Sequence, residues 1–244
     1  MKKNLKLIFL YMLFSFFTLS TISFSDQSGD ISSELENFSL FFKPEKKKEY
    51  IQTRKDYYMD LLKLKNQKEN TAESGEKLSK YLQANYSNID WNSDYTKTLD
   101  IAALCYAAAE IQCPTPIALY ADQFEFSLFA YEKYFGKSRV EDRLEDYPFM
   151  FLAVRCGLKS IPALQSIILD PEKRPELRLK ATATLMKVDP EAAISSALRI
   201  QDELNPEMRS ILTSYLENPQ TEPWDVLVRF SSRSRAIMER KTQK

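Results

Sequence analysis

The chain has 244 residues, of which 34 are basic and 34 acidic, so it has no excess positive charge of the kind that favours nucleic acid as a partner. It contains no histidine, which excludes Ser-His-Asp and Cys-His catalysis and removes the commonest zinc ligand. The only glycines, Gly29, Gly75, Gly136 and Gly157, are too widely spaced to build a phosphate-binding loop, and their scarcity argues against hairpin-rich β architecture.

The first 25 residues have the features of a secretory signal peptide. A lysine-containing start precedes an apolar run from Leu7 to Phe17, and the small residues Ser23 and Ser25 follow where cleavage would occur. The run is shorter than the roughly 20 residues of a membrane-spanning helix. We therefore expect an exported protein, periplasmic or extracellular and belonging to a bacterial envelope, with no membrane span once the signal is removed. Residues 26–43 are predicted to be a spacer followed by a short helix.

Residues 44–137 are predicted to form an N-terminal helical region. The apolar spacing indicates a first, charged helix that runs to about Asn66, then a turn as far as Gly75. Residues 94–112 are rich in alanine, which lets another helix approach closely. Residues 113–116 are predicted to end this helix and to cap the next. From Ile117 to Phe135 apolar residues recur every three or four positions, which predicts a long, buried central helix.

Three cysteines, Cys105, Cys113 and Cys156, permit two interpretations. Along a continuous helix, Cys105 and Cys113 would lie about 12 Å apart, too far for a disulfide. Cys156 could pair with one of them if the fold brings them together. The other interpretation is that all three are buried, unpaired thiols packed as small hydrophobic groups. An odd number leaves at least one thiol unpaired within the chain in either case.

The C-terminal half, residues 138–244, contains a sequence that recurs after 31 residues. Pro175-Glu176-Leu177-Arg178 returns as Pro206-Glu207-Met208-Arg209, and Leu185 returns as Leu216. A recurrence of this length is typical of a helix-pair repeat.

Paired Asp-Pro and Asn-Pro sequences predict where the helices of this half begin. Three such pairs occur: Asp189-Pro190, Asn205-Pro206 and Asn218-Pro219. The Asp or Asn side chain can accept a hydrogen bond from a backbone amide of the first helical turn, and proline suits the first helical position. Between these sites the apolar residues form two stripes on each helix, which indicates helices covered on two sides. On the first of these helices, one stripe is Leu177, Ala181, Leu185 and Val188, and the other is Leu179, Ala183 and Met186. On the next helix, one stripe is Ala193, Ala197, Ile200 and Leu204, and the other is Ile194 and Leu198.

This pattern resembles HEAT-type repeats, in particular their short bacterial form. The matching residues are Asp170, Leu177-Arg178, Ala181, Leu185, Asp189-Pro190, Ala193 and Leu198. The glycines usual before the second aspartate are absent. The resemblance implies an α-solenoid of helix pairs in the C-terminal half. With the helical spacing of the N-terminal region and a last helix that ends in a basic tail, the chain is predicted to be all-α. The resemblance also implies that Arg178 and Arg209 bond to neighbouring turns as structural residues.

We predict an exported, non-enzymatic scaffold or adaptor that binds a protein partner in the cell envelope. No catalytic, cofactor-binding or metal-binding residues are predicted. The residues predicted to contact the partner are Glu191, Ser195, Arg199 and Asp202 on one helix, and Arg229 and Arg233 on the basic C-terminal helix. One alternative is a self-assembling structural component of an envelope or appendage assembly. Another is an envelope enzyme that works with carboxylates alone, for which the acidic cluster is Glu141, Asp142, Glu145 and Asp146.

Overall fold

A computed structural model describes residues 44–64, 71–91, 94–128 and 143–227, and all regular secondary structure within these ranges is helical. The predicted all-α class is therefore confirmed. Several predictions lie outside the described residues: the signal peptide, the spacer and short helix of residues 26–43, Glu141, Asp142, and Arg229 with Arg233 on the C-terminal helix.

The helices of the described residues are numbered here in chain order. They are α1 Pro44–Leu61, α2 Thr71–Tyr86, α3 Tyr95–Glu110, α4 Thr115–Leu119, α5 Pro148–Cys156, α6 Ile161–Leu169, α7 Pro175–Val188, α8 Pro190–Ile200 and α9 Pro206–Glu217. Short 3-10 turns are formed by Ala121–Gln123, Leu144–Asp146 and Gly157–Ser160.

Helix α1 ends five residues before the predicted end at Asn66. Lys63 adopts a left-handed backbone with φ 53°, and the N–H of Leu64 returns 2.8 Å to the carbonyl of Met59. Leu64 is fully buried, so its packing stabilises the turn that ends the helix.

Gly75, predicted to close a turn, lies inside α2 instead. A Cβ atom at this position would stand 3.3 Å from the Sγ of Cys113, so the absence of a side chain permits the close approach of the two segments. The turn prediction was wrong here because glycine weakens a helix by only about 1 kcal/mol relative to alanine, a cost that packing can offset.

The long central helix predicted for residues 117–135 is not present in its described part. Helix α4 stops at Leu119, and 3-10 and turn conformations continue to Leu128. The apolar residues still pack against the core: Phe124 is 0 % exposed, and the half-buried Phe126 packs edge-on against Trp91 with ring centroids 5.4 Å apart. Packing of large aromatic rings at a bend therefore accounts for the spacing that was interpreted as one helix.

The last of the three predicted helix starts, Asn218-Pro219, does not begin a helix. Asn218 ends α9, and the chain then turns back toward α5, where the ring of Trp224 stacks on Tyr147 with centroids 5.3 Å apart. Helical backbone begins again at Val226, close to the end of the described residues.

The helices contact one another in a regular order. Helix α1 packs on α3, α3 on α5, α5 on α7 and α7 on α9, while α2 packs on α4, α4 on α6 and α6 on α8. Contacts between α3 and α4, α6 and α7, and α7 and α8 join these two series. Helix α7 contacts α5, α6, α8 and α9. Members of both of its predicted apolar stripes are buried, namely Leu177, Ala181 and Leu185 on one and Leu179 and Ala183 on the other.

Candidate partner-binding surface

Helix α8 is fixed in place by its cap and by its buried face. The side chain of Asp189 accepts a hydrogen bond from the N–H of Ala192 at 3.0 Å, which confirms the predicted helix start. The buried face carries Ala193, Ala197 and Ile200, and α8 makes its main contacts with α6 and α7. A rigid helix anchored in this way holds the side chains of its outer face in a fixed arrangement.

The outer face of α8 combines charged, polar and apolar side chains. Glu191, Ser195 and Arg199 are exposed as the sequence predicted, and Asp202 follows in the turn just beyond the helix. Ile194 and Leu198 are exposed as well, at 45 % and 55 % of their surface. We call these six residues the α8 surface.

The exposure of Ile194 and Leu198 corrects the expectation that both stripes of this helix are covered. Helices α6 and α7 pack on the stripe that contains Ala193 and Ala197, and they leave the second stripe open. The two aliphatic side chains lie one helical turn apart and form a small exposed apolar patch bordered by charges.

The charges of the α8 surface are available for a partner. Glu191 and Arg199 form no ion pair with any residue in the described part of the chain. The side chain of Asp202 is 87 % exposed, and its nearest cation, Arg209, approaches only to 3.8 Å.

The two repeat arginines bond to preceding turns, as expected of structural residues. The Nε of Arg178 donates to the carbonyl of Ile168 at 2.6 Å, at the end of α6. The Nε of Arg209 donates to the carbonyl of Gln201 at 2.8 Å, just after α8. Each arginine thus satisfies a carbonyl at the end of the previous helix.

A buried carboxylate joins the N-terminal helices, and the sequence analysis missed it. Asp100 on α3 is 7 % exposed and accepts hydrogen bonds from Tyr50 Oη at 2.9 Å, Arg54 Nε at 2.8 Å and Tyr86 Oη at 3.1 Å. The Tyr86 and Tyr58 hydroxyls lie 2.8 Å apart, and Arg54 Nη2 donates to the Tyr58 hydroxyl at 2.6 Å. The one available signal was an aspartate in the otherwise apolar stretch that follows Leu99.

This network holds its tyrosines protonated. Burial, together with the charge of Asp100, raises the pKa of Tyr86 to about 12, and burial also raises the pKa values of Tyr50 and Tyr58. The hydroxyls of Tyr50 and Tyr86 therefore remain donors to Asp100 at neutral pH, which suits a structural role rather than proton transfer.

A cleft of about 370 Å³ lies between α1, α3 and α5. Its walls include the apolar residues Ile51, Tyr106 and Phe151, and its charged lining residues are Lys48, Lys55, Glu110, Arg143, Glu145, Asp146 and Arg155. Of the acidic cluster, Glu145 is exposed, whereas Asp146 is 2 % exposed and accepts a hydrogen bond from the N–H of Arg143 at 3.0 Å. Asp146 therefore has the position of a residue that caps the 3-10 turn Leu144–Asp146.

The three cysteines are free and buried. Burial raises the pKa of Cys156 to about 12 and raises the pKa of Cys105 well above its usual value. The thiols of Cys105 and Cys156 are therefore protonated at neutral pH, and a protonated thiol is a poor nucleophile and metal ligand. In the described ranges, no group of three or more Cys, Asp or Glu side chains has a geometry that could hold a metal ion.

One stretch of the described residues, Pro148–Leu169, has the length and hydropathy of a membrane span. It comprises α5 and α6, separated at Gly157, which has φ 57°, and its buried residues include Phe149, Leu152 and Leu164. Helices of a packed core share this length and composition, so the stretch does not by itself indicate a membrane segment.

Comparisons of the chain with protein-family models, with curated proteins and with solved structures found no match.

Proposed function

We propose that the chain is an exported, non-enzymatic, HEAT-like α-solenoid that acts as a protein-binding scaffold or adaptor in the cell envelope. The site that we assign to partner binding is the α8 surface.

The order of helix contacts supports the solenoid. In a stack of helix pairs, each helix contacts the next helix in the chain and the corresponding helix of the following pair. The contacts from α1 to α9 through the odd-numbered helices, and from α2 to α8 through the even-numbered ones, have the second of these features. The contacts of α3 with α4 and of α7 with α8 have the first. On this proposal the stack includes α1–α4, and it is therefore longer than the C-terminal half for which the sequence predicted it.

The observation that carries the binding function is the exposed pair Ile194 and Leu198 between charged neighbours. Burial of both side chains against a partner would remove apolar surface from water, which contributes roughly 25 cal/mol for each Å² buried. Glu191 and Arg199 would then select among partners, because a mismatched charge at an interface opposes binding.

Crosslinking in intact cells tests this proposal. A photoreactive phenylalanine analogue is placed at Leu198, and in separate strains at Leu158 and at Tyr57, which are exposed at 68 % and 47 % and lie outside the α8 surface. We expect a discrete crosslinked protein from position 198 and none from the two control positions. The crosslink should be lost when Ile194 is changed to glutamate.

Equal crosslinking at all three positions, or none at 198, would contradict the assignment of the α8 surface. A far-UV circular dichroism spectrum of each variant, compared with that of the unmodified protein, establishes that the fold is retained.

Export rests on the signal-like first 25 residues. Cell fractionation should place the chain in the envelope or the medium, and deletion of residues 1–25 should retain it in the cytoplasm. Cytoplasmic recovery of the unmodified chain would refute this part of the proposal.

A further inference from the structure

Two clefts adjoin at the C-terminal ends of α3 and α5. The first, of about 370 Å³, is the cleft between α1, α3 and α5 described above, and the second has a volume of about 550 Å³. Ala109, Glu110 and Arg155 line both clefts, so the two volumes meet at these residues, which we call the junction. Each volume is within the range of roughly 300–1,000 Å³ that is usual for small-molecule sites.

The first cleft has an apolar wall built by three helices. Helix α1 contributes Ile51, α3 contributes Tyr106 and α5 contributes Phe151. The rings of Tyr106 and Phe151 pack edge-on with centroids 5.3 Å apart, which fixes them against each other. The Tyr106 hydroxyl donates a hydrogen bond to the carbonyl of Glu145, so the polar atom of this ring already has a partner. The wall therefore suits the apolar part of a ligand.

Positive charge predominates at the junction. Arg155 and Lys159 line the second cleft, and Lys55 lines the first, whereas Glu110 is the one carboxylate among these neighbours. Lys55 Nζ lies 3.3 Å from Glu110 Oε1, so the charge of this carboxylate is offset by a cation of α1. Arg155 and Lys159 form no ion pair with any residue in the described ranges. Two positive charges at the junction are therefore available to an anionic group.

The other charges of the first cleft balance one another. They are two cations and two carboxylates, namely Lys48, Arg143, Glu145 and Asp146. Three of these residues precede the start of α5, whereas Arg155 is next to its last residue, so they lie toward the opposite end of this helix. The net positive charge of the two clefts is therefore concentrated at the junction, and an anion is attracted there rather than to the far end of the first cleft.

We propose that the two clefts bind a small amphipathic carboxylate, such as a medium-chain fatty acid, with its apolar chain against Tyr106 and Phe151 and its carboxylate on Arg155. The guanidinium group presents paired N–H donors that match the two oxygens of a carboxylate. Arg155 follows Phe151 by one helical turn on α5, so the sites for the carboxylate and for the chain are contiguous. The site includes no residue of the α8 surface, and the inference does not depend on the proposed function.

Isothermal titration calorimetry of the purified protein tests this site with octanoate as the probe. Octanol and octyltrimethylammonium have the same chain length, but the first is uncharged and the second is a cation. We expect octanoate to bind at one site, octanol to bind at least about tenfold more weakly because it lacks the charge-assisted hydrogen bonds, and octyltrimethylammonium not to bind.

Arg155→Gln should weaken octanoate binding about tenfold or more and leave the affinity for octanol unchanged. Because the Arg155 side chain is exposed and forms no ion pair among the described residues, this variant should keep the fold. Lys46→Gln is the matched control: it removes an exposed cation of α1 outside both clefts and should bind octanoate as the unmodified protein does. Ala109→Leu narrows both clefts and should weaken octanoate and octanol alike, with the fold checked by far-UV circular dichroism.

Several results would overturn the inference. One is the absence of octanoate binding to the unmodified protein, and another is equal affinity for octanoate and octyltrimethylammonium. Unchanged octanoate affinity in Arg155→Gln would show that this cation acts only on the dipole of α5, where it is placed in the last turn. Loss of octanoate binding in Leu198→Glu would place the probe on the α8 surface instead. None of these outcomes affects the crosslinking expected at position 198, so the two proposals are tested separately.

Discussion

Helices α1–α3 and helices α6–α9 are stabilised by different kinds of interaction. The N-terminal helices share one buried polar network, in which Asp100 accepts bonds from residues on α1 and α2. The C-terminal helices repeat two local interactions: a side chain before proline caps the helix start, and an arginine bonds to the preceding turn. One substitution in the network removes several hydrogen bonds at once, whereas each cap or arginine bond can be removed separately.

The largest effect is expected from Arg54→Met, which leaves the buried Asp100 carboxylate without its cation. Removing one partner of a buried ion pair typically costs about 3–5 kcal/mol. Because the Arg54 side chain is 30 % exposed, we expect about 2–3 kcal/mol, measured as the loss in unfolding free energy in urea. Lys55→Met is the matched control: it removes a contact of 3.3 Å with the half-exposed Glu110 and should cost under about 1 kcal/mol. Equal losses would show that the network is not the main stabilising element of this region.

A smaller loss of stability is expected from Arg178→Met, which removes the hydrogen-bond donor of the Ile168 carbonyl. Arg178 is 3 % exposed and also forms an ion pair with Glu203 at 2.6 Å, so its loss should cost about 2 kcal/mol. Arg209→Met removes the equivalent bond at a side chain that is 47 % exposed, where water can replace it, and should cost under about 1 kcal/mol. Thermal unfolding of the two variants makes the comparison, and a larger loss for Arg209→Met would contradict it.

The contact between α7 and the segment that follows α4 should depend on pH. Burial opposes the ionisation of Glu125, but its bonds with Lys180 at 2.6 Å and Arg174 at 2.5 Å outweigh this and lower its pKa below the usual value. A lowered pKa stabilises the fold above the unfolded-state value of about 4.3, and this stabilisation is lost as the pH falls through the folded-state pKa.

Glu125→Gln should therefore cost about 1–2 kcal/mol at pH 7, and progressively less as the pH falls below about 4. Urea unfolding at a series of pH values measures the difference from the unmodified protein. Asp122→Asn, at a side chain 72 % exposed, is the control and should change stability little at any of these pH values. If the loss of stability caused by Glu125→Gln instead grew as the pH fell, the assigned direction of the Glu125 pKa shift would be wrong.

The smallest effects are expected at the helix caps. Asp189→Ala and Asn205→Ala each remove an observed bond to a first-turn amide, at 3.0 Å and 2.9 Å, and should each cost about 1 kcal/mol. Asn218→Ala changes a residue of the same sequence pattern that caps no helix start, so it should be nearly neutral. If all three substitutions lowered the unfolding free energy by the same amount, loss of a helix cap would not be the cause.

These differences also explain which parts of the fold could be predicted. Caps and repeat arginines act on residues close in sequence, so their spacing is visible in the chain; the Arg209 bond spans 8 residues. The donors to Asp100 lie 14, 46 and 50 residues away, and no local pattern records such a network. The segment after Cys113 was interpreted wrongly because aromatic residues at a bend can be buried at helical spacing without a helix.

The α8 surface was predicted in part. Its charged residues could be found because they share one face of an amphipathic helix. The exposure of Ile194 and Leu198 could not, since apolar spacing shows that a stripe can be covered but does not show whether a neighbouring helix lies there.

The buried thiols provide internal probes of local opening. Cys105 lies within α3 and Cys156 at the end of α5, so they belong to different parts of the packed structure. An alkylating reagent can modify each thiol only when the surrounding helices separate, so the rate of labelling at each site reports how often that part of the fold opens. Mass spectrometry of peptides taken during labelling of the native protein would rank the two helices by the frequency of these openings, with no substitution in the chain.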